Sequence, residues 1–385
     1  MGRPTLRRWL LLWALLPQLV ACALDAEEAG RAAGGAIEHL AVAGSRLLAS
    51  GGATLRIFDV SDPTRPREIG RLETPQFVSA AALASDGVAY AELGIRFKEL
   101  ERAPESLDQE WVRRGWLGID ERSYSQGEFV GVSNLAVLDL ADPARPRVVG
   151  HVNLTPADTL ASRLRAMTIA GKHLYASDAT MGTWIFDLAE PRRPRILSNL
   201  RRGQDLAPAP SYLYLADGAA VTVTSDRGVE EFPGGLVVLD VSDPTAPKEV
   251  GRLDGTRLGK GGDGGNAERV AAGPRHVYVG VGISTRGGWA AEDYLVTVDV
   301  SDPARPREVG RLKLASSVAD LTVAGKTLYV RLSGRELLIF DLADPAGPRR
   351  TRRVRLPEDV LVSLVAEPWL YLGTYDGLAV VDLRH

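Results

Sequence analysis

Residues 236–253 read LVVLDVSDPTAPKEVGRL, and residues 295–312 repeat them almost letter for letter as LVTVDVSDPARPREVGRL. Related copies start at Leu55 (LRIFDVSDPTRPREIGRL), Leu135 (LAVLDLADPARPRVVGHV), Thr183 (TWIFDLAEPRRPRILSNL) and Leu337 (LLIFDLADPAGPRRTRRV). A truncated seventh, LAVVDLRH, starts at Leu378 and ends the sequence. A unit repeated in this way cannot bury its apolar face alone, so its copies must stack on one another. A residue present in every copy therefore reads as structural, because an active site breaks symmetry.

The local pattern of one unit is legible. Leu236 and Val238 face one side of an extended chain, and Val237, Leu239 and Val241 face the other. Both sides are apolar, so this strand is expected to be covered on both. Asp243 and Pro244 make a turn, since proline presets its own φ and an Asp can bond the turn backbone. A second strand follows Pro247 and is half polar, which suits an outer, partly exposed position. Upstream of each copy lies a further pattern, seen as LTVAGKTLYV at residues 321–330 and MTIAGKHLYA at residues 167–176. It reads as strand, tight turn, strand, so one unit is four short strands in series.

The acids that end the third strand are Asp59, Asp139, Asp187, Asp240, Asp299, Asp341 and Asp382, separated by 80, 48, 53, 59, 42 and 41 residues. The short separations match the ~40–45 residues of a four-stranded propeller blade. An all-β propeller of seven blades over residues 36–385 is predicted. The sequence stops after the third strand of the last unit. Either a three-stranded last blade or an N-terminal segment closes the ring, and the poor β-propensity of the N-terminal stretch favours the first.

The strings at residues 236–241 and 295–300, each followed by Ser-Asp-Pro-x-x-Pro, resemble the LVIVD repeat of bacterial and archaeal proteins. The resemblance covers nearly all of the chain after residue 36. It implies a propeller found mostly in exported or surface proteins, and carries no general biochemical activity.

At the N-terminus, Arg3, Arg7 and Arg8 precede an apolar run at residues 9–16, too short to span a bilayer stably. Leu19-Val20-Ala21-Cys22 follows and resembles the bacterial lipobox, in which cleavage before Cys leaves a thiol that carries a diacylglycerol. Cys22 is the sole cysteine, so no intramolecular disulfide is possible. Residues 1–21 are expected to be a lipoprotein signal peptide, and residues 22–35 a flexible tether of small and polar residues. No Asp follows Cys22 directly, which favours the outer membrane of a bacterial envelope over inner-membrane retention. The net charge of −3 falls to −6 once the three arginines of residues 1–21 are removed, which argues against a general nucleic-acid binder. A monomer is expected.

Four insertions interrupt the repeat, at residues 92–134, 217–235, 254–266 and 281–294. In an up-and-down blade the connections that hold them emerge on one face, and loops grafted on one face of a rigid ring are where binding resides. Phe97, Trp111, Trp116, Tyr124 and Trp289 suit contact with an envelope protein or glycan; the alternative is that they pack the insertions onto the rim. Aligned on the following turn, the innermost strands begin at His39, Ala82, Ala166, Asp205, Glu268, Asp320 and Val362. The turn of unit five is one residue longer, which leaves Glu268 open by one position. Asp205, Glu268 and Asp320 at the channel mouth are candidate oxygen ligands for a divalent cation such as calcium, or else cap turns.

Other signals are weaker. The five histidines show no ligand spacing, and the Gly-rich residues 261–265 lack the context and lysine of a phosphate loop. The arginines at residues 349–355 read as a charged edge that discourages strand pairing, or as a contact for anionic lipid head groups. The leading expectation is a lipid-anchored, non-enzymatic propeller that serves as an interaction platform. The alternative is a periplasmic enzyme, a metal-assisted hydrolase or lactonase-like protein with a cation in the central channel.

Overall fold

The computed structural model describes residues 24–25, 28–74, 78–84, 87–94, 133–154, 164–178, 182–200, 202–218, 221–225, 228–232, 234–259, 265–284, 290–357 and 360–384. These form seven four-stranded antiparallel blades. The innermost strands are His39–Ala43, Val78–Leu83, Leu164–Ala170, Asp205–Pro208, Gly265–Ala272, Val318–Ala324 and Val360–Ala366, for blades one to seven. Each packs on the next, and the seventh packs on the first, so the ring is closed. Each third strand carries the repeat, and in blades one to six the outer strand follows the turn after it, as in Leu236–Asp240 and Lys248–Leu253.

The core is radial. Each of seven buried clusters fills one interface between adjacent blades. This is why both faces of the third strand are apolar: Leu236 and Val238 pack against blade five, and Val237 and Leu239 against blade three. A sheet buried on both faces needs continuous hydrophobic runs.

The seven repeated acids perform one task. Each accepts the backbone N–H two residues ahead, as Asp59 does from Ser61 at 3.0 Å and Asp299 from Ser301 at 2.9 Å. In blades one, two, three and five the second carboxylate oxygen accepts from the Arg that opens the outer strand. The Ser301 amide is the largest influence holding the Asp299 carboxyl down to about 2.

The repeated glycine of the outer strand also has a cause. A Cβ on Gly70 would stand 1.6 Å from the Pro143 carbonyl oxygen of blade two, and one on Gly251 would stand 2.0 Å from Pro303 O of blade five. The outer strand of one blade thus lies directly against the Asp-Pro turn of the next.

The last blade is four-stranded, not three-stranded. Glu28–Ala33 pairs antiparallel with Gly377–Asp382 as its outer strand, within the stretch expected to be a tether. Ladder bonds and one close contact offset the poor propensity of this segment: a Cβ on Gly30 would stand 2.6 Å from Pro63 O of blade one. Beyond it, Gly34 N–H donates to Asp376 O and Ile37 N–H to Thr374 O, both at 2.9 Å. Buried Arg56 donates to Gly35 O at 2.8 Å, and Ile37 is fully buried between blades seven and one. Upstream, Leu24–Asp25 adds a short parallel strand to the outer edge of blade six.

Gly30→Val is expected to lower the unfolding free energy by about 1–3 kcal/mol, the usual cost of forcing a side chain into a packed contact. Urea denaturation checks this, with Ala33→Ser, exposed on the same strand, expected to stay within about 0.5 kcal/mol of the parent.

Candidate functional site

In this topology the Asp-Pro turns lie on one face of the ring. The connections between second and third strands, and from each outer strand to the next blade, lie on the other. All four insertions therefore share a face. Residues 217–235 fold in part as a hairpin of Val221–Ser225 and Gly228–Phe232. The base of this insertion is fastened to its surroundings: Asp217 accepts from Gly203 N–H at 2.9 Å, and Gly218 N–H donates to Ala267 O of blade five at 3.0 Å. Residues 254–266 hold a short helix, Gly255–Leu258, with Leu258 fully buried. Residues 281–294 extend the strands His276–Ser284 and Ala290–Asp299. Phe97, Trp111, Trp116, Tyr124, Trp289 and Cys22 lie outside the described residues.

A central cavity of about 300 Å³ opens where the innermost strands begin, on the insertion face. Strand register identifies its ring of equivalent residues. The residue two before the partner of the conserved second-strand tyrosine is His39, Ala80, Ala166, Asp205, Arg269, Asp320 and Val362 in turn, with Leu48 taking the place of that tyrosine in blade one. All seven line the cavity. The expected positions His39, Ala166, Asp205, Asp320 and Val362 are therefore in the ring. Ala82 lies two residues too far along its strand, and Glu268 is displaced by one.

The displacement of Glu268 has a local cause. A β-bulge falls between Ala267 and Arg269, so Glu268 is the extra residue and Arg269 takes the cavity position. A bulge re-aims the side chains beside it. Glu268 accepts instead from Asn266 Nδ2 at 3.3 Å, and burial, together with the nearby Asp293, pushes its carboxyl up. Comparable bulges precede the ring position in blades three, six and seven and contain it in blade two.

Asp205, Glu268 and Asp320 do not come together as a ligand set. Among the described residues no three His, Cys, Asp or Glu side chains are grouped to hold a metal ion. The two ring acids are fasteners between blades. Asp205 accepts Val270 N–H of blade five at 2.9 Å. Asp320 accepts Ser363 N–H of blade seven at 3.2 Å and Ser363 Oγ–H at 2.7 Å. Arg269 stands between them and donates from Nε to Ala319 O of blade six at 2.7 Å. Arg331, buried on the second strand of blade six, donates to Asp320 at 2.6 Å and to Ser363 Oγ at 3.1 Å. The charges at the ring position thus alternate through blades four, five and six.

Arg269, Arg331 and Glu92 escaped the sequence reading. Glu92 is fully buried and accepts Leu164 N–H of blade three at 2.8 Å. Its signal was available: Glu92 and Arg331 each lie two residues after the second-strand tyrosine, where other blades carry Ser, Ala or Gly. Burial pushes the Asp205 carboxyl up to about 6, against the opposing pull of Arg269.

The LVIVD repeat family matches residues 47–74, 231–255, 264–313 and 315–354. The chain carries LVIVD repeats, folded as a seven-bladed β-propeller. No curated protein matches the sequence. Among solved structures, a propeller from "COPII on membranes, outer coat vertex" aligns with a TM-score of 0.61 at 10% identity, over 92% of this chain and 86% of that one. A chain from "The structure of the COPII coat assembled on membranes" aligns equally well, over 92% of this chain and 48% of that one. At this identity the likeness shows the fold alone.

Two measurements probe the cavity ring. Asp320→Ala leaves Arg331 without its carboxylate and is expected to cost about 1.5–3 kcal/mol in chemical denaturation. Asp205 behaves differently, because a carboxyl with a raised folded-state pKa costs stability once it is ionised in both states. That cost is complete above about pH 6 and is gone below the unfolded value of ~3.9. Asp205→Asn keeps an acceptor for Val270, so it is expected to melt higher than the parent near pH ~8 and equally near pH ~3.5.

Proposed function

We propose that this protein is a lipid-anchored, non-enzymatic β-propeller of the bacterial cell envelope, presenting its insertion-bearing face to an envelope protein or glycan. The observation that carries this reading is that all four insertions and the mouth of the central cavity share one face. A rigid ring with variable connections grafted on one side is an arrangement suited to binding. The lipobox-like Leu19-Val20-Ala21-Cys22 supports the anchor, since acyl chains on one thiol contribute roughly 0.8 kcal/mol per buried CH₂.

The alternative, a periplasmic metal-assisted hydrolase or lactonase-like enzyme, loses its support at the cavity. The acids it would need are taken up by contacts between blades, and Arg269 occupies the position assigned to the third.

Cys22→Ser is expected to abolish lipid attachment and release the protein from the membrane fraction. Mass spectrometry of the N-terminal peptide and cell fractionation read this out; an unmodified Cys22 in the parent refutes the anchor. For the binding role, in-cell cross-linking should give a defined adduct with the parent that is lost when residues 95–132 are replaced by a short linker. An unchanged adduct pattern would remove that insertion from the binding face.

A further inference from the structure

The outer strand of blade six departs from its counterparts. In blades one, four, five and seven an outer-strand Arg is paired with a Glu three residues before it: Glu68–Arg71 at 2.9 Å, Glu249–Arg252 at 2.8 Å, Glu308–Arg311 at 2.7 Å and Glu28–Arg31 at 2.7 Å. Arg349–Arg355 of blade six reads RRTRRVR, with five arginines and no acid. Three of these are held by the protein. Arg349 stands 3.9 Å from Asp341, Arg352 donates to Leu383 O at 2.7 Å, and Arg353 pairs with Glu336. Arg350 and Arg355 are exposed. A strand that neutralises itself in four blades is left basic in this one.

A second, independent observation falls on the same edge. Leu24–Asp25 runs parallel along this strand, with Leu24 opposite Val354 and Asp25 opposite Arg355. Arg349 and Arg350, both exposed, open this strand, so basic charge lies at that end. The N-terminal end of Leu24–Asp25 points the same way. Cys22 is two residues upstream of Leu24, within about 7 Å of chain.

We propose that the arginine edge of blade six rests on an anionic lipid surface, the inference resting on the anchoring of Cys22 proposed above. The acyl chains would enter the bilayer beside this edge, within the range over which basic side chains are attracted to anionic head groups. Outer strands begin at the Asp-Pro turns, so the Arg349 end lies on the face opposite the insertions. Seated in this way, the propeller turns its insertion face away from the bilayer.

The test uses the full chain purified from membranes and reconstituted into phosphatidylcholine vesicles with and without phosphatidylglycerol. A fluorophore is placed on Thr351→Cys, at the exposed centre of the edge, or on Ala144→Cys, exposed at the Asp-Pro turn of blade two. Position 351 is expected to be shielded from an aqueous quencher several-fold more when phosphatidylglycerol is present. Added salt, or Arg350→Glu with Arg355→Glu, should remove the difference, and position 144 should show none. Equal shielding of position 351 in both vesicles, or equal shielding of 351 and 144, would overturn the proposal. Mass spectrometry of the N-terminal peptide reads the anchor separately. If Cys22 carries no lipid, the anchoring reading fails by itself, and flotation of the same protein decides the edge. Flotation that needs phosphatidylglycerol and is lost on charge reversal keeps the edge; flotation indifferent to either overturns it.

Discussion

The contact between the outer strand of one blade and the Asp-Pro turn of the next sets the geometry of the ring. At Gly70 and Gly251 the backbone of one blade approaches a proline carbonyl so closely that no side chain fits between them. The turn must therefore be held at a defined height and angle, and the repeated Asp does this by taking the N–H two residues ahead. Outer-strand Glu–Arg pairs lie beside this contact and cover it with mutually neutral charge. The repeat is thus an interface motif. Its residues describe how one blade meets its neighbour more than how a single blade folds. The closing blade repeats the same contact, with Gly30 against Pro63, while pairing of Glu28–Ala33 with Gly377–Asp382 joins the N- and C-terminal segments.

Most of this was legible because seven copies average out local noise. The strands, the Asp-Pro turns and the face that carries the insertions all followed from aligned repeats. The N-terminal closing strand, ranked second on its poor β-propensity, carries a signal of its own. Glu28-Ala29-Gly30-Arg31 matches Glu68-Ile69-Gly70-Arg71 and Glu308-Val309-Gly310-Arg311. Its apolar positions have shrunk to alanine, so hydrophobicity and propensity point to a tether, while the glycine and the ion pair point to an outer strand. A strand on the rim borders only one neighbouring strand in its sheet and has little to bury. Its identity therefore rests on the residues that make the contact.

The cavity ring was legible only to within a residue or two, for a different reason. Alignment counted back from a turn assumes an unbroken pleat, and the innermost strands of five blades are bulged at or just before the ring position. A bulge changes which of two adjacent side chains faces the channel. At Glu268 and Arg269 this exchange reverses the sign of the charge and dissolves an apparent cluster of three acids. The working rule that symmetry-breaking residues mark function also needs refinement. Arg56, Glu92, Asp205, Arg269, Asp320 and Arg331 all break the repeat, and each spans the boundary between two blades. These buried polar groups find their partners across particular blade boundaries, which satisfies them without water.

The two faces of the ring are under different constraints. The Asp-Pro face is occupied by its own turns, and every one of them abuts the preceding blade. An insertion there would have to displace the contact that holds the ring together. The connections on the opposite face also meet neighbouring blades, as where Gly218 N–H donates to Ala267 O, yet all four insertions lie there. The short parallel strand Leu24–Asp25 lies along the edge of blade six, opposite Val354 and Arg355. The insertions are thus confined to the face that does not carry the repeated turns.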